Sequence, residues 1–539
     1  MGQTTSFKPE NSVLSFGTYD PVQARAFTKG FWLGLGLLVA ICLYISNSTI
    51  MLDYIGATLL IFSCLLPCYL WAKRIALGLP FYPLFALMHI LFYAFPLITG
   101  HELTAQYSEG ARFSAAFWIS FAIISGTIVW LYFVNKPQIP ARHVLAFQLP
   151  RGKKHLLDFC ITLAFTGVVV VMIILNHRFF ESIRNSVPVG FISLIRISSG
   201  AVSFLCIFIG FLRIGLGEMG LVLKIIFCSV FAIYIIDQMA GLILMSAALL
   251  CIPAIIGFAL GSQKIPFLLI SAFIVIFSFF NLSKAEMRYL FWEQTSQAGE
   301  RVFVSQYDDL FAEWFNQSWS VFTTGEPTFY HPDVDSVSIV DRASLMHIYL
   351  IPATQSPQTF DYMWGQTYTV IPRLLIPRVL YPEKPFAHEG QVLLNIHYGL
   401  QDRQTALRTF LAWGLLPEAN ANYGPLGVVG ICVLVGLLMG WLSQWTMNVP
   451  IISYRNLVGA VTLFTLVDTE TVGSLLVTSL FQSLVIVTAF SMVFMKRTAN
   501  PAYAIWLEKR ERLRDFRDMS DTRDFKDSVT RGPQGTLRT

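Results

Sequence analysis

Residues 425–447 read PLGVVGICVLVGLLMGWLSQWTM and contain no charged side chain. A helix of about 20 apolar residues spans the hydrocarbon core of a bilayer. Eleven further apolar runs lie at residues 31–47, 51–72, 81–99, 113–134, 156–176, 190–212, 218–236, 239–261, 264–281, 455–468 and 472–495. Only 13% of the 539 residues are charged, against about 25% in soluble domains. The sequence therefore predicts an all-α polytopic membrane protein with about twelve transmembrane helices.

A polar island at residues 282–424 interrupts these runs and is predicted to be one large extracytoplasmic loop. Nine predicted spans precede it within residues 31–281, and three follow within residues 425–495. Residues 1–30 are predicted to be a cytoplasmic N-terminal segment, and residues 496–539 a charged cytoplasmic tail with a helix that carries i,i+4 ion pairs. Since lipid excludes charged groups, we expect the active site in the island.

Lys and Arg residues predict the orientation of the chain in the membrane. They concentrate in alternate connections, such as Lys73-Arg74 and Lys153-Lys154, and in the tail from Lys496. By the positive-inside rule both termini are cytoplasmic and the island lies outside. The net charge of +5 belongs mainly to the cytoplasmic connections, so no nucleic-acid partner is indicated. All eight Cys fall within predicted spans, which leaves the island without a disulfide framework or a Cys metal site.

Positive charge is concentrated in one part of the island. The whole island is net −6, but residues 371–410 hold five basic residues against three acidic ones. Residues 367–380 are apolar apart from Arg373 and Arg378 and are too short to span, which predicts a Pro-broken amphipathic or re-entrant segment at the outer leaflet. Arg373 and Arg378 converge only if the break lies at Pro377. Guanidinium groups bind phosphate oxygens bidentately, so this patch suits a lipid-linked pyrophosphate. Alternatively, Arg373, Arg378 and Lys384 anchor the segment at lipid headgroups.

Several polar residues of the island are candidates for catalysis or metal binding. Glu418 precedes a span among apolar residues, where a carboxyl group can serve as general base; alternatively it pairs with an Arg such as Arg408. The four His of the island are too widely spread for a metal motif. Asp333 and Asp335 form a D-x-D pattern that indicates a turn, with metal binding as the alternative. The sequence predicts neither a metal nor another cofactor.

Four motifs in and beside the island resemble those of one enzyme family. They are Arg342-Ala-Ser-Leu, Trp364-Gly365, Ile376-Pro-Arg-Val-Leu-Tyr-Pro-Glu-Lys-Pro385 and Glu418-Ala-Asn-Ala-Asn-Tyr-Gly-Pro-Leu-Gly427. Their order resembles that in bacterial oligosaccharide repeat-unit polymerases of the Wzy type, which make O-antigen and exopolysaccharide. In that family an Arg precedes a Pro-Arg-x-x-x-Pro-x-Lys-Pro stretch, and a Glu-x-x-x-Asn-aromatic-Gly-x-x-Gly stretch follows. The resemblance covers the island and its flanks.

The resemblance implies a GT-C-like fold, similar to that of O-antigen ligases, in the bacterial inner membrane. The substrate would be undecaprenyl-pyrophosphate-linked oligosaccharide on the periplasmic face, with membrane lipid, a chain-length regulator and a flippase as partners. The pyrophosphate is already a good leaving group, so cations must stabilise its charge and a base must deprotonate the acceptor hydroxyl. The motif positions assign pyrophosphate binding to Arg342, Arg378 and Lys384, with Arg373 and Arg408 as further candidates. Glu418, His388 and His397 compete for the role of base.

Three other functions are compatible with the sequence. An O-antigen ligase would use the same donor with a lipid A-core acceptor. A flippase or transporter of lipid-linked glycans would need charged residues buried along a path through the spans. The spans offer few, among them Asp53, Arg196, Lys224, Asp237 and Asp468. A non-catalytic partner in a polysaccharide assembly would tolerate neutral substitution of the Arg and Lys patch.

Overall fold

The computed structural model describes most of the chain. The described residues are 21–136, 138–147, 154–176, 189–242, 244–262, 266–293, 306–328, 344–377, 380–381, 383–408, 411–450, 452–467 and 469–514. They are mostly helical, and they include one small two-stranded sheet. The class predicted from the sequence, an all-α polytopic membrane protein, is confirmed.

The part of the chain before the island is a series of helices, most of them long. They are α1 Pro21–Ile45, α2 Met51–Ala72, α3 Phe81–His89, α4 Phe95–Thr99, α5 Glu102–Ala105, α6 Glu109–Val134, α7 Lys154–Asn176, α8 Val189–Gly215, α9 Leu221–Ala240, α10 Leu244–Ser262 and α11 Phe267–Asn281. A π-helical turn at Ile90–Ala94 joins α3 to α4. The first helix begins at Pro21 instead of residue 31, so part of the predicted N-terminal segment belongs to it.

The described part of the island contains mostly short helices, and three more helices follow it. The island contains α12 Lys284–Arg288, a π-helical turn at Tyr289–Glu293, α13 Tyr307–Thr324, α14 Met346–Gln355, α15 Gln366–Thr369, α16 Ile371–Leu375, α17 Glu389–His397 and α18 Arg403–Arg408. After it come α19 Leu415–Trp445, α20 Tyr454–Val467 and α21 Gly473–Phe494. Strands β1 His143–Ala146 and β2 Lys496–Ala499 pair antiparallel, with His143 opposite Ala499. Residues 501–514 form a helix in which Arg512 donates to Glu508 at 2.6 Å, so the predicted i,i+4 pairing in the tail is confirmed.

All twelve predicted spans coincide with helices in the described part of the chain. Fewer of these helices are long and apolar enough to cross a membrane. Among the described residues, nine helices are long and apolar enough to cross a membrane. Ten are counted if α11 and the bent segment after it form one span. The remaining predicted spans lie on α10, α11 and α20. Helix α19 also begins earlier than residue 425, with Pro417 in its first turn, where the missing amide hydrogen costs nothing. Glu418 therefore lies inside this helix instead of before it.

Helices α6 and α19 approach each other closely in the core. A Cβ atom added at Gly436 of α19 would collide with the backbone of Gly126 on α6, and one added at Gly126 would collide with Tyr82. Small residues let the backbones of membrane helices approach, so that van der Waals packing replaces the missing hydrophobic drive. This contact fixes the position of α19, whose first turn carries the Glu418 motif.

Contacts between connections divide the molecule into two ends. At one end, β1 and β2 join two connections that the positive-inside rule assigns to the cytoplasm. At the other end, the island contacts connections assigned to the outside: the amide of Gly414 donates to the Glu470 carbonyl at 3.0 Å, and the rings of His101 and His347 stack. Each of these contacts thus joins connections that the rule assigns to the same side, while the orientation itself stays a prediction.

Candidate functional site at the start of helices α19 and α21

Two of the family-like motifs lie side by side although they are far apart in the sequence. The amide of Met363 donates to the Ala421 carbonyl at 3.0 Å, and the amide of Trp364 donates to the Asn422 carbonyl at 3.1 Å. Gly365 has φ +85°, and a Cβ atom there would collide with the hydroxyl of Tyr423. The Trp364-Gly365 motif thus needs its glycine to pack against the first part of α19.

Asn422 joins these segments through its side-chain amide. Its Oδ1 accepts from the amide of Gly365 at 2.9 Å. Its Nδ2 donates to Thr367 Oγ1 at 2.9 Å and to the Glu418 carbonyl at 2.8 Å. Both amide hydrogens and the amide oxygen are therefore used, and the side chain is fully buried. Asn422 serves as a structural clamp between the motifs.

Glu418 is fully buried and bonds to the start of α21. Its Oε2 accepts from the amide of Gly473 at 2.5 Å. Gly473 is the first residue of α21, and amides in the first turn of a helix have no partner within the helix. The sequence suggested Arg408 as a structural partner for Glu418. The backbone amide of Gly473 is a partner that the structure shows, whereas the side chain of Arg408 lies outside the described residues.

The aromatic residues near Glu418 pack on each other. Tyr368 and Tyr423 stack with ring centroids 6.5 Å apart, and Tyr423 meets Trp364 edge to face at 6.3 Å. Trp364 is 72% exposed, so the cluster has one open side. The helix backbone is interrupted here, because Tyr423 and Gly424 have non-helical dihedral angles. An exposed aromatic surface at a helix break can stack on a sugar ring or lie at a membrane interface.

His388 lies directly before α17 in the turn that contains Lys384. The Ser474 hydroxyl donates to the neighbouring Ala387 carbonyl at 3.1 Å, which holds this turn against the start of α21. Partial burial lowers the pKa of His388, and the nearby Glu389 opposes that shift. A His with a lowered pKa is neutral at pH 7 and can accept a proton.

His397 has one ring nitrogen already engaged. Its Nε2 donates to the Asp361 carbonyl at 2.9 Å, and its ring contacts Phe360 and Tyr398. The remaining nitrogen is the only one with which the neutral ring can accept a proton. His388 and His397 lie at opposite ends of α17: His388 directly precedes the helix, and His397 is its last residue.

The predicted pyrophosphate-binding residues are only partly placed by the structure. Lys384 Nζ donates to the Ile376 carbonyl at 2.8 Å, so the turn folds back over the end of α16. Arg373 is exposed on α16. Ile376 is extended and ends α16 before Pro377, so the break predicted at Pro377 is confirmed. Arg342 and Arg378 lie outside the described residues, as does the side chain of Arg408, which ends α18.

Other predictions for the island have mixed outcomes. The sequence of the island also predicts helices at residues 305–322 and 338–351. The first is confirmed as α13, and α14 overlaps the second. Arg403 is tied to Glu389 by an ion pair of 2.8 Å. Asp333 and Asp335 lie outside the described residues. Within the described ranges, no group of three or more His, Cys, Asp or Glu side chains is arranged to hold a metal ion.

Two features of this end of the molecule were missed by the sequence analysis. The rings of His101 and His347 stack with centroids 5.2 Å apart, although they come from separate connections. His347 Nδ1 also contacts the Ser344 hydroxyl at 3.0 Å. The second feature is Asn420, which belongs to a quoted motif but was given no role. A polar residue between apolar ones in the first turns of a helix was the available signal.

Comparison with protein-family models, with curated proteins and with solved structures finds no match.

Proposed function

We propose that this protein is a membrane glycosyltransferase. It would polymerise undecaprenyl-pyrophosphate-linked oligosaccharide repeat units into O-antigen or exopolysaccharide on the periplasmic face of the bacterial inner membrane. The observation that carries the proposal is the hydrogen bonding of the Trp364-Gly365 motif to the Glu418–Gly427 motif. Glu418 bonds to Gly473 at the start of α21. Ser474 of the same helix holds the turn that contains Lys384 and His388. Family-like motifs that are dispersed in the sequence thus share one end of the molecule.

In the proposed reaction, His388 takes the proton from one hydroxyl of the acceptor sugar. The oxygen of that hydroxyl then bonds to the anomeric carbon of the donor sugar, while the bond from that carbon to the pyrophosphate oxygen breaks. Lys384, Arg373 and the other basic residues of the patch stabilise the charge that develops on the leaving lipid pyrophosphate. No metal ion and no nucleotide sugar takes part. Glu418 acts as a positioning residue that holds α19 to α21.

The charged residues of the spans support a polymerase over a transporter. Asp53 forms a buried ion pair with Arg112 at 2.8 Å, and Asp237 accepts from the Tyr307 hydroxyl at 3.2 Å. Each lies within three residues of a helix end, where it neutralises or bonds a neighbour instead of forming a path across the membrane. No described contact places Arg196 or Lys224 in such a path, and Asp468 lies outside the described residues.

The test is incubation of the purified protein in lipid nanodiscs with a lipid-linked repeat unit as the only substrate. A ladder of products without nucleotide or metal identifies a polymerase. One transfer to added lipid A-core and no ladder identifies a ligase. Absence of any new glycosidic bond, with the substrate moved between leaflets in vesicles, identifies a flippase and refutes the proposal.

Lys384→Gln gives the matching test of the site. Glutamine keeps a donor for the Ile376 carbonyl but removes the charge, so the rate of chain extension should fall roughly 100-fold or more. Lys384→Arg keeps the charge and should retain a measurable part of the rate of chain extension. The control is Lys224→Gln, an exposed lysine at the opposite end of the molecule, which should leave the rate unchanged. A normal ladder from Lys384→Gln would remove Lys384 from the reaction.

A further inference from the structure

A cavity of about 210 Å³ lies where α6, α14 and the first part of α19 meet. Its lining includes Trp118, Tyr349, Tyr362, Ser356, Gln358 and Asn420. None of the described residues that line it carries a charged side chain. The cavity adjoins the candidate site, because Tyr362 lies two residues before the Trp364-Gly365 motif and packs edge to face on Trp364 at 6.0 Å.

Asn420 lines this cavity and carries an unused hydrogen-bond donor. The residue is 1% exposed, and its Nδ2 has no hydrogen-bond partner among the described residues. A buried donor without an acceptor costs free energy that folding has to offset elsewhere. Asn422, two residues further along α19, has every amide atom bonded. The contrast indicates that Asn420 donates to a bound group.

The lining suits an uncharged ligand that carries both hydroxyl groups and apolar C–H faces. Serine, glutamine and asparagine offer donors and acceptors, while Trp118 and Tyr362 offer aromatic surface. Among the described lining residues, a phosphate or an ammonium group would find no countercharge. A cavity of about 150 Å³ admits one benzene-sized ring, so this cavity of about 210 Å³ has room for one pyranose ring.

We propose that this cavity binds one neutral sugar residue, the non-reducing terminal sugar of the acceptor chain, with Asn420 donating to one of its oxygens. The assignment of that sugar to an acceptor rests on the proposed polymerase function. Binding of a neutral sugar does not rest on it. The Asn420 donor and the cavity dimensions together select an uncharged ring with an acceptor oxygen.

The test uses full-length protein in nanodiscs and the methyl glycosides of glucose, galactose, mannose, rhamnose and N-acetylglucosamine. Saturation-transfer NMR should detect binding of at least one of them. Asn420→Ala should weaken that binding roughly 3- to 10-fold, the effect of one neutral hydrogen bond. Ala353→Phe places a ring at the cavity wall and should weaken it more than tenfold. The matched control is Ala105→Phe, at an exposed alanine on the same end of the molecule.

Three results would overturn the inference. One is that none of the glycosides binds. Another is that Asn420→Ala and Ala353→Phe bind as well as the unsubstituted protein while both are folded. The third is that decanol or a sugar phosphate competes for the cavity better than any neutral glycoside, which would make it a site for an alkyl chain or an anion.

The outcomes separate this inference from the proposed function. Glycoside binding without any polymer ladder leaves the sugar site intact and removes the polymerase. A ladder made with an unchanged acceptor KM in Asn420→Ala and Ala353→Phe keeps the polymerase and removes the acceptor site. If the polymerase function and the acceptor site are both correct, Asn420→Ala raises the acceptor KM by the same factor by which it weakens glycoside binding. Lys384→Gln then lowers the rate while the protein still binds the glycoside.

Discussion

Replacement of Glu418 separates a structural carboxyl group from a catalytic one. In Glu418→Ala the buried amide of Gly473 loses the acceptor that it contacts at 2.5 Å. An unpaired buried donor costs about 1–3 kcal/mol, and the vacated volume adds to that. We expect a loss of roughly 2–4 kcal/mol, which for a chain of 539 residues lowers the melting temperature by about 2–4 °C. Glu418→Gln keeps an oxygen acceptor and the side-chain volume, so it should lose less than about 1 kcal/mol.

The eight cysteines provide the stability assay, since all are free thiols and four are buried. A thiol-reactive dye reports unfolding as they become accessible, and the product ladder reports activity on the same preparations. If Glu418 only positions α19 and α21, Glu418→Gln should extend chains at nearly the normal rate. A folded Glu418→Gln that makes no polymer would show that Glu418 is the base and that His388 is not. Equal melting temperatures for Glu418→Ala and the unsubstituted protein would refute the structural argument.

Two further predictions concern packing and pH. Gly436→Ala should destabilise the protein by about 1–3 kcal/mol, because its Cβ atom meets the backbone of Gly126; Gly430→Ala on the same helix meets nothing within 4 Å and should be neutral or slightly stabilising in the same thiol assay. Burial first, and the charge of His101 second, lower the pKa of His347 to about 4, so between pH 6.5 and about 4 the unfolded chain binds the proton and the folded chain does not. Stability should therefore fall as pH falls through this window, by at most about 3 kcal/mol, and melting curves of His347→Gln should show a smaller fall; an identical pH profile would contradict this.

Part of the candidate site could be predicted because it depends on local sequence. Pro377 ends α16, since proline cannot continue the hydrogen bonding of a helix and restricts the residue before it. The helix at residues 307–324 follows from its own amphipathic pattern. The partner of Glu418 could not be predicted, because an arginine and a backbone amide are equally able to bond a carboxyl group. Only the tertiary fold, which sets the start of α21 beside the first turn of α19, brings Gly473 to it.

The sequence by itself determined the class of the protein and the positions of its helices. Burial in lipid depends on the summed hydrophobicity of about 20 neighbouring residues, which is a property of each segment alone. Tertiary structure decided which polar groups meet. Asn422 and Gly365 are 57 positions apart, and His101 and His347 come from different connections. Such contacts, and the cavity beside Asn420, depend on how whole helices pack, and no local pattern of residues specifies that packing.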